Sequence, residues 1–449
     1  MCYLLKPLQA AAKPDLILDL TDASVLKHPE MSKLVHRMCV DLTVYAEISN
    51  DEWASIKGFA NLVKLQSFAG LPRETSALQL DFPNLAYLSL GGLGTSILSE
   101  GLMRLELICN LTTLTYLDFA SYPSYVFDTA KGLAEIPASL TRLPKLRELH
   151  VHGVNSVSAS VSMLTSLQVL SLRQLPSSDV DLSGLKQLTY LRLYGGERST
   201  CHLPHGDFVG LRHLLSEQAD CALTNLSDAT ALTYLELKLV EGLQWPTTLQ
   251  RLQTLKLAHS TAGSGPFMNL YRHEQDPALP EVYMEAIPSE WQHYSSLTCL
   301  ELPKLAMQEG MPLWLTTLGQ LKELNMPNAT FYDFPDRLLQ LTSIEVLKLH
   351  YFNTHLKGKI AGLASLPALR LLDFGWLGHF DRTDYTLFLT EDSLLGLEEL
   401  EVALRDRPSK LWRIAYPAQE GRLAAGTMLT FADKSFFNFW ACCRAMTLR

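Results

Sequence analysis

No apolar run of roughly 18 residues or more occurs along the chain, so no membrane-spanning helix is expected. Basic charge is in short supply: 38 Lys and Arg stand against 47 Asp and Glu, for a formal net charge of −9. General nucleic-acid affinity needs a basic footprint and is therefore not expected. The 8 cysteines are scattered as Cys2, Cys39, Cys109, Cys201, Cys221, Cys299, Cys442 and Cys443. They form neither a capping cluster near the N-terminus nor paired zinc spacings, so reduced thiols in a cytoplasmic protein are the expectation, with cytoskeletal or nuclear residence as alternatives. The opening Met1-Cys2-Tyr3-Leu4-Leu5-Lys6-Pro7 has neither the basic start nor the apolar core of a secretory signal.

Catalytic signatures are missing as well. The chain has no Gly-x-Ser-x-Gly elbow and no cysteine nucleophile with a placed histidine. Cys201-His202-x-x-His205 with Asp207 offers metal-ligating types without the second pair a zinc site needs. His273-Glu274-Gln275-Asp276-Pro277 opens like a zinc-protease helix but puts Pro277 where the second histidine belongs. Gly91-Gly92-x-Gly94 lacks the rest of a dinucleotide-binding fingerprint. These absences point away from an enzyme and from any cofactor or metal.

What the chain has in quantity is leucine in a fixed frame. Ile136-Pro137 leads to Leu140, Leu143, Leu146, Leu149 and Val151. The frame returns from Met311-Pro312 through Leu315, Leu318, Leu321, Leu324 and Met326, and from Phe334-Pro335 through Leu338, Leu341, Ile344, Leu347 and Leu349. A further copy runs Ile360, Leu363, Leu366, Leu369, Leu372, Phe374. Shorter copies close on Leu88-x-Leu90, Leu117-x-Phe119, Leu170-x-Leu172, Leu191-x-Leu193, Leu235-x-Leu237, Leu255-x-Leu257, Leu300-x-Leu302 and Leu400-x-Val402. An amphipathic α-helix mixes steps of three and four. A strict step of three slips about 60° per step and leaves the face. The closing step of two is the period of a strand. The spacing therefore predicts a short strand at each final Leu-x-Leu, with a turn-rich or short helical return before it.

This frame resembles the leucine-rich repeat family, in the intracellular plant-like or ribonuclease-inhibitor-like style, over roughly seven-tenths of the chain. The resemblance implies an α/β solenoid, a curved horseshoe with a parallel β-sheet on its concave face. It also implies a non-catalytic scaffold for protein–protein interaction. Substrate recognition in a ubiquitin-ligase adaptor, or a fragment of an immune-type receptor, are alternatives within the family. Stacking is obligatory. One repeat buries about five or six apolar side chains at roughly 1.5–3 kcal/mol each, while ordering its roughly 20 residues costs about 1–2 kcal/mol apiece. Only neighbours covering each other's faces make the array stable. The asparagine usual in the turn after the strand is mostly absent. Position 175 is Leu and 196 is Gly, while Asn155 and Asn353 come one place late, so irregular turns are expected.

Residues 1–60 read as an N-terminal capping region with degenerate strands at Leu16–Leu20 and around Met38–Leu42. Residues 61–403 read as the repeat array, interrupted near 259–292 by turn chemistry including Gly263-Ser264-Gly265-Pro266. Residues 404–449 read as a C-terminal cap or tail, rich in aromatics at Phe436, Phe437, Phe439 and Trp440. In each strand the leucines point inward and their neighbours outward. The outward positions give the candidate partner-binding residues: Tyr87, Tyr116, His150, His152, Arg173, Tyr190, Arg192, Tyr194, Tyr234 and Lys238. Tyr and Arg anchor interfaces because they combine large contact area with a polar end. On an acidic protein, this aromatic and basic set suits a protein or peptide partner of acidic character.

Overall fold

The computed structural model describes residues 16–20, 39–45, 49–56, 59–68, 82–91, 105–120, 136–152, 159–175, 182–195, 208–216, 223–238, 245–258, 287–302, 306–307, 311–326, 330–333, 335–349, 353–355, 360–373, 379–380, 387–388, 413–415 and 428–430. The chain divides into two compact units, Met1–Ala229 and Thr230–Arg449.

In the first unit the strands are β1 (Leu16–Leu20), β2 (Cys39–Val44), β3 (Lys64–Ser67), β4 (Tyr87–Leu90), β5 (Tyr116–Ala120), β6 (Glu148–His152), β7 (Val169–Leu175), β8 (Tyr190–Gly195) and β9 (His213–Ser216). Each pairs in parallel with the next. The register is set by the leucines: Leu65, Leu88, Leu117, Leu149, Leu170, Leu191 and Leu214 face one another rung after rung. All are buried. This is the expected repeat solenoid, with strands where the Leu-x-Leu frame placed them.

The return stretches explain the step of three. Ala138–Arg142 is a 3₁₀ helix opened by Pro137. A 3₁₀ helix has three residues per turn, so residues three apart lie above one another and the stripe never slips. The Leu140 N–H donates to the Pro137 carbonyl at 3.2 Å, Leu143 to Leu140 at 3.0 Å, and Leu146 to Leu143 at 3.2 Å. Each leucine side chain is inward while its amide is satisfied by the preceding leucine. Pro137 fits because it pre-sets φ and its missing N–H is one the helix start leaves unpaired anyway. Described returns are α-helical at residues 105–108 and at α1 (Asn50–Ile56). At α1 the Ser49 N–H donates to Glu52 Oε2 at 2.8 Å and the Glu52 N–H to Ser49 Oγ at 3.4 Å, a capping box, and Trp53 and Ile56 go inward.

Two rungs escape the sequence frame. Leu62-x-x-Leu65 and Leu211-x-x-Leu214 end in Ser67 and Ser216 where a third apolar residue belongs, and both serines are buried. These rungs are β3 and β9.

In the second unit β10 (Tyr234–Lys238), β11 (Thr254–Ala258), β12 (Cys299–Glu301), β14 (Glu323–Asn325), β16 (Val346–Lys348) and β18 (Leu371–Asp373) form the corresponding parallel ladder. A second parallel ladder follows it, made of β13 (Ala306–Met307), β15 (Thr330–Asp333) and β17 (Asn353–His355). Here the backbone groups after the main strand pair with the neighbouring repeat rather than with a side chain, and Asn353 itself opens a strand. The antiparallel pair β19 (His379–Phe380) and β20 (Leu387–Phe388) comes next. Beyond it, β21 (Arg413–Ala415) pairs with Asp373 of β18 and antiparallel with β22 (Met428–Thr430).

Of the span expected to be interrupted, 259–292, residues 287–292 are described. Ser289–His293 is a 3₁₀ turn of a full repeat, opened by Pro288 and burying Trp291, Tyr294 and Leu297 where the frame has leucines. Trp291 meets Trp245 edge-on at 4.8 Å and Tyr294 Oη donates to the Pro246 carbonyl at 2.9 Å. Residues 259–286, the Cys201–Asp207 and His273–Pro277 constellations, the Leu400 repeat and the aromatic tail at 431–443 lie outside the described residues.

Candidate functional site

The strands alternate, so every rung of the first unit lifts outward-facing side chains in three columns. The column preceding the central leucine reads Ile17, Asp41, Lys64, Tyr87, Tyr116, Glu148, Val169, Tyr190, His213. The next reads Asp19, Thr43, Gln66, Ser89, Asp118, His150, Ser171, Arg192, Leu215 in the same register. The third, past the last inward residue, contains Tyr45, Phe68, Gly91, Ala120, His152, Arg173 and Tyr194.

Neighbouring rungs interlock. Lys64 Nζ is 3.0 Å from Asp41 Oδ2 and lies over the Tyr87 ring at 5.4 Å. Tyr87 and Tyr116 stack at 3.9 Å with planes 8° apart, and Tyr116 meets the His150 ring at 5.2 Å. His150 Nε2 is 3.9 Å from Glu148 Oε2, and His152 Nε2 is 3.8 Å from Asp118 Oδ1. The Ser89 hydroxyl donates to Asp118 Oδ2 at 3.2 Å. Tyr190 and His213 lie with ring centres 6.0 Å apart. Burial raises the Tyr116 phenol well above its ordinary pKa, helped by its hydrogen bond with Tyr87 and the charge of Asp118. It stays a neutral hydroxyl at any physiological pH, a rigid and amphipathic contact surface.

Of the candidates, Tyr87, Tyr116, His150, His152, Tyr190 and Arg192 stand together on this face, each half-buried. Arg173 and Tyr194 occupy outward positions of β7 and β8 by register, Arg173 opposite Tyr194; their side chains lie outside the described residues. Tyr234 and Lys238 belong to β10 in the second unit, and the Lys238 side chain is likewise outside the described residues. The second unit's outward face is largely engaged with itself. Tyr234 Oη donates to Glu236 Oε2 at 2.5 Å, Lys256 lies over the Tyr234 ring at 5.8 Å, and Lys348 Nζ is 2.6 Å from Glu323 Oε1. The half-buried Cys299 thiol is pushed up to about 11 by burial and by Glu323.

The frame of leucine triplets does not single out Lys64, Phe68 and His213, because their rungs end in serine, nor Tyr45, whose rung closes on Leu42-x-Val44 in the degenerate N-terminal region. The signal was Leu-x-x-Leu-x-Ser at the repeat period. Among the described residues no group of His, Cys, Asp or Glu is placed to hold a metal ion, and no helix is long and apolar enough to cross a membrane.

The repeating ladder defines the fold as a leucine-rich repeat solenoid. No protein-family model and no curated protein matches the chain. Among solved structures it is similar to an internalin from Listeria monocytogenes, at 19% identity over 78% of this chain and 86% of the other, with a TM-score of 0.46. A leucine-rich repeat protein from Leptospira interrogans aligns at 16% identity over 80% of this chain and 94% of its own, with a TM-score of 0.43. One from Bacteroides thetaiotaomicron aligns at 13% identity over 94% of this chain and 54% of its own, with a TM-score of 0.49.

Proposed function

We propose that the protein is a non-catalytic interaction scaffold of the cytoplasm whose first unit holds an acidic segment of a protein partner against the outward face of its sheet. One observation carries this reading. The outward positions of β7 and β8 are Val169, Ser171, Arg173, Tyr190, Arg192 and Tyr194, and those within β9 are His213 and Leu215, with no carboxylate among them; Glu217, next after β9, lies outside the described residues. On a chain of net charge −9, such a strip is a local reversal of sign. It attracts carboxylates over roughly a Debye length, about 8 Å at physiological salt. Arg192 and Tyr190 share a strand, so a guanidinium able to grip a carboxylate in two places stands beside a ring able to cover an aliphatic stem.

Support for a scaffold rather than an enzyme comes from the way the face is built. Its described ionisable groups are held in ladder contacts, Lys64 with Asp41, His150 with Glu148 and His152 with Asp118. The test is charge reversal. Partners captured by proximity labelling are identified and their acidic segments measured by calorimetry against Arg173→Glu/Arg192→Glu, with the exposed turn residue Lys186→Glu as control. The double reversal is expected to weaken binding at least tenfold, about 1.4 kcal/mol or more, with the control unchanged. Equal affinity for all three proteins would discard the reading.

A further inference from the structure

The returns leading into β6, β7, β8 and β9 carry one sign of charge. Their described stretches, residues 136–147, 159–168, 182–189 and 208–212, hold Arg142, Lys145, Arg147, Lys186 and Arg212, all exposed, and no Asp or Glu. Over the whole of residues 136–216, which includes Asp179, Asp181, Glu197 and Asp207 outside the described residues, 8 Lys and Arg stand against 5 Asp and Glu, on a chain of net charge −9. Other returns differ. Those before β3 and β5 hold Asp51, Glu52 and Glu106. In the second unit Lys322 and Arg370 both reach Glu345, at 3.1 and 3.8 Å. Arg142 is 3.6 Å from Glu106 of the preceding return, a weak and solvent-exposed pair.

These residues share one edge of the sheet, the side on which the chain enters each strand. The Gln168 N–H donates to the Arg147 carbonyl at 2.7 Å, Thr189 to Gln168 at 2.8 Å and Arg212 to Thr189 at 2.9 Å, so Arg147 and Arg212 begin and end one row. Ser166 Oγ donates to the Pro144 and Leu146 carbonyls at 3.1 and 2.9 Å, which fastens the turn carrying Lys145 to the next. Two large apolar side chains stand among the cations. Counted back from the central leucine of the following strand, Met163 takes the place of Arg142, and Val209 that of Lys186. Met163 is 67% exposed and Val209 57%. The edge interleaves cations with bare aliphatic tips over four rungs spaced about 4.8 Å apart.

A soluble polyanion answers the cations and gains nothing from the aliphatic tips. An anionic bilayer uses both. Its headgroups meet the Lys and Arg ends, while methionine and valine side chains enter the boundary between headgroups and acyl chains. We propose that this strand-entry edge of the first unit docks on an anionic lipid surface, as a site separate from the outward face of the sheet. The attachment is peripheral and reversible. Each Lys or Arg near such a surface strengthens binding about fivefold, and the gain is screened by salt.

The full chain is sedimented with vesicles of phosphatidylcholine, alone or with about 30% phosphatidylserine, at near-physiological salt. Binding to the anionic vesicles and not to the neutral ones is expected. Lys145→Glu/Lys186→Glu should lower partitioning by at least about 25-fold, at about fivefold per residue. Met163→Gln/Val209→Gln should lower it several-fold. Arg251→Glu/Arg370→Glu makes the same change of charge at exposed return residues of the second unit and should leave partitioning as in the wild type. All six side chains are exposed, and urea midpoints confirm that the variants stay folded. Equal binding to both kinds of vesicle, or to neither, overturns the inference. So does an equal loss with the second-unit pair, which would make overall charge the cause. Vesicle binding indifferent to Met163 and Val209 also overturns it, and hands the edge to a soluble polyanion such as an acidic protein or a nucleic acid.

Discussion

Replacing Gly91 with alanine adds one methyl group and should cost the first unit about 2 kcal/mol. In open space the same change stabilises by roughly 0.4–1 kcal/mol, because alanine restricts the unfolded chain. At position 91 the new Cβ would meet the Phe68 carbonyl oxygen at 2.0 Å and its carbon at 2.7 Å, both backbone atoms that cannot rotate away. The strand ends must separate by about an ångström, an overpacking cost of roughly 1–3 kcal/mol. The Gly91 N–H to Ser67 carbonyl bond, 2.7 Å long, bridges the same two strand ends and weakens as they part, losing part of a further 0.5–1.5 kcal/mol or so. Urea unfolding followed by circular dichroism reads the change as a lower midpoint for the first unit. Gly319→Ala is the internal control, since nothing lies within 4 Å of its added Cβ, and it should be neutral or slightly stabilising. A Gly91→Ala protein as stable as the wild type, or a Gly319→Ala protein destabilised as much, would refute the steric reasoning.

Other consequences follow from packing and protonation. Leu149→Ala removes a fully buried rung and is expected to lower stability by about 2–5 kcal/mol, whereas Leu313→Ala, at a site 62% exposed, should change it by less than about 0.5 kcal/mol, both read from urea midpoints. The Cys299 thiol ionises near 11 in the folded chain against an ordinary 9.0, burial being the main cause. The unfolded chain thus loses its proton first. The contribution of Cys299 to stability is complete below pH 9 and is lost as pH rises from 9 towards 11. Cys299→Ala should flatten that alkaline decline in unfolding midpoint; an unchanged slope would show that burial does not hold the thiol neutral.

The strands with a full apolar triplet were legible because the step-three, step-two frame has one physical solution: a 3₁₀ return whose stripe never slips, followed by a two-residue alternation. Leu149 and Val151 announce β6 in that way. The rungs that did not announce themselves break the frame in one place. Ser67 and Ser216 are small enough to be buried at the third position without a leucine's bulk, so the triplet frame does not mark β3 and β9 within the array. Trp291 and Tyr294 fill leucine places with larger rings and made a repeat look like part of an insertion. The ladder of β13, β15 and β17 has no sequence signature, because its strands are held by backbone pairing and their residues show no alternation. The outward face was legible in its middle, where intact rungs flank Tyr116, His150 and Arg192. It was not legible at Tyr45 and Phe68, whose stack depends on recognising β3.

The most direct test of the partner-binding face places a photocrosslinking residue at position 190, on the outward face, and in a separate protein at Met163, which is 67% exposed on the return turn before β7. The account predicts crosslinks from position 190 into an acidic segment of a partner, abolished by Arg192→Glu, and little from position 163. Equal crosslinking from both positions, or crosslinks from 190 that survive the charge reversal, would contradict it.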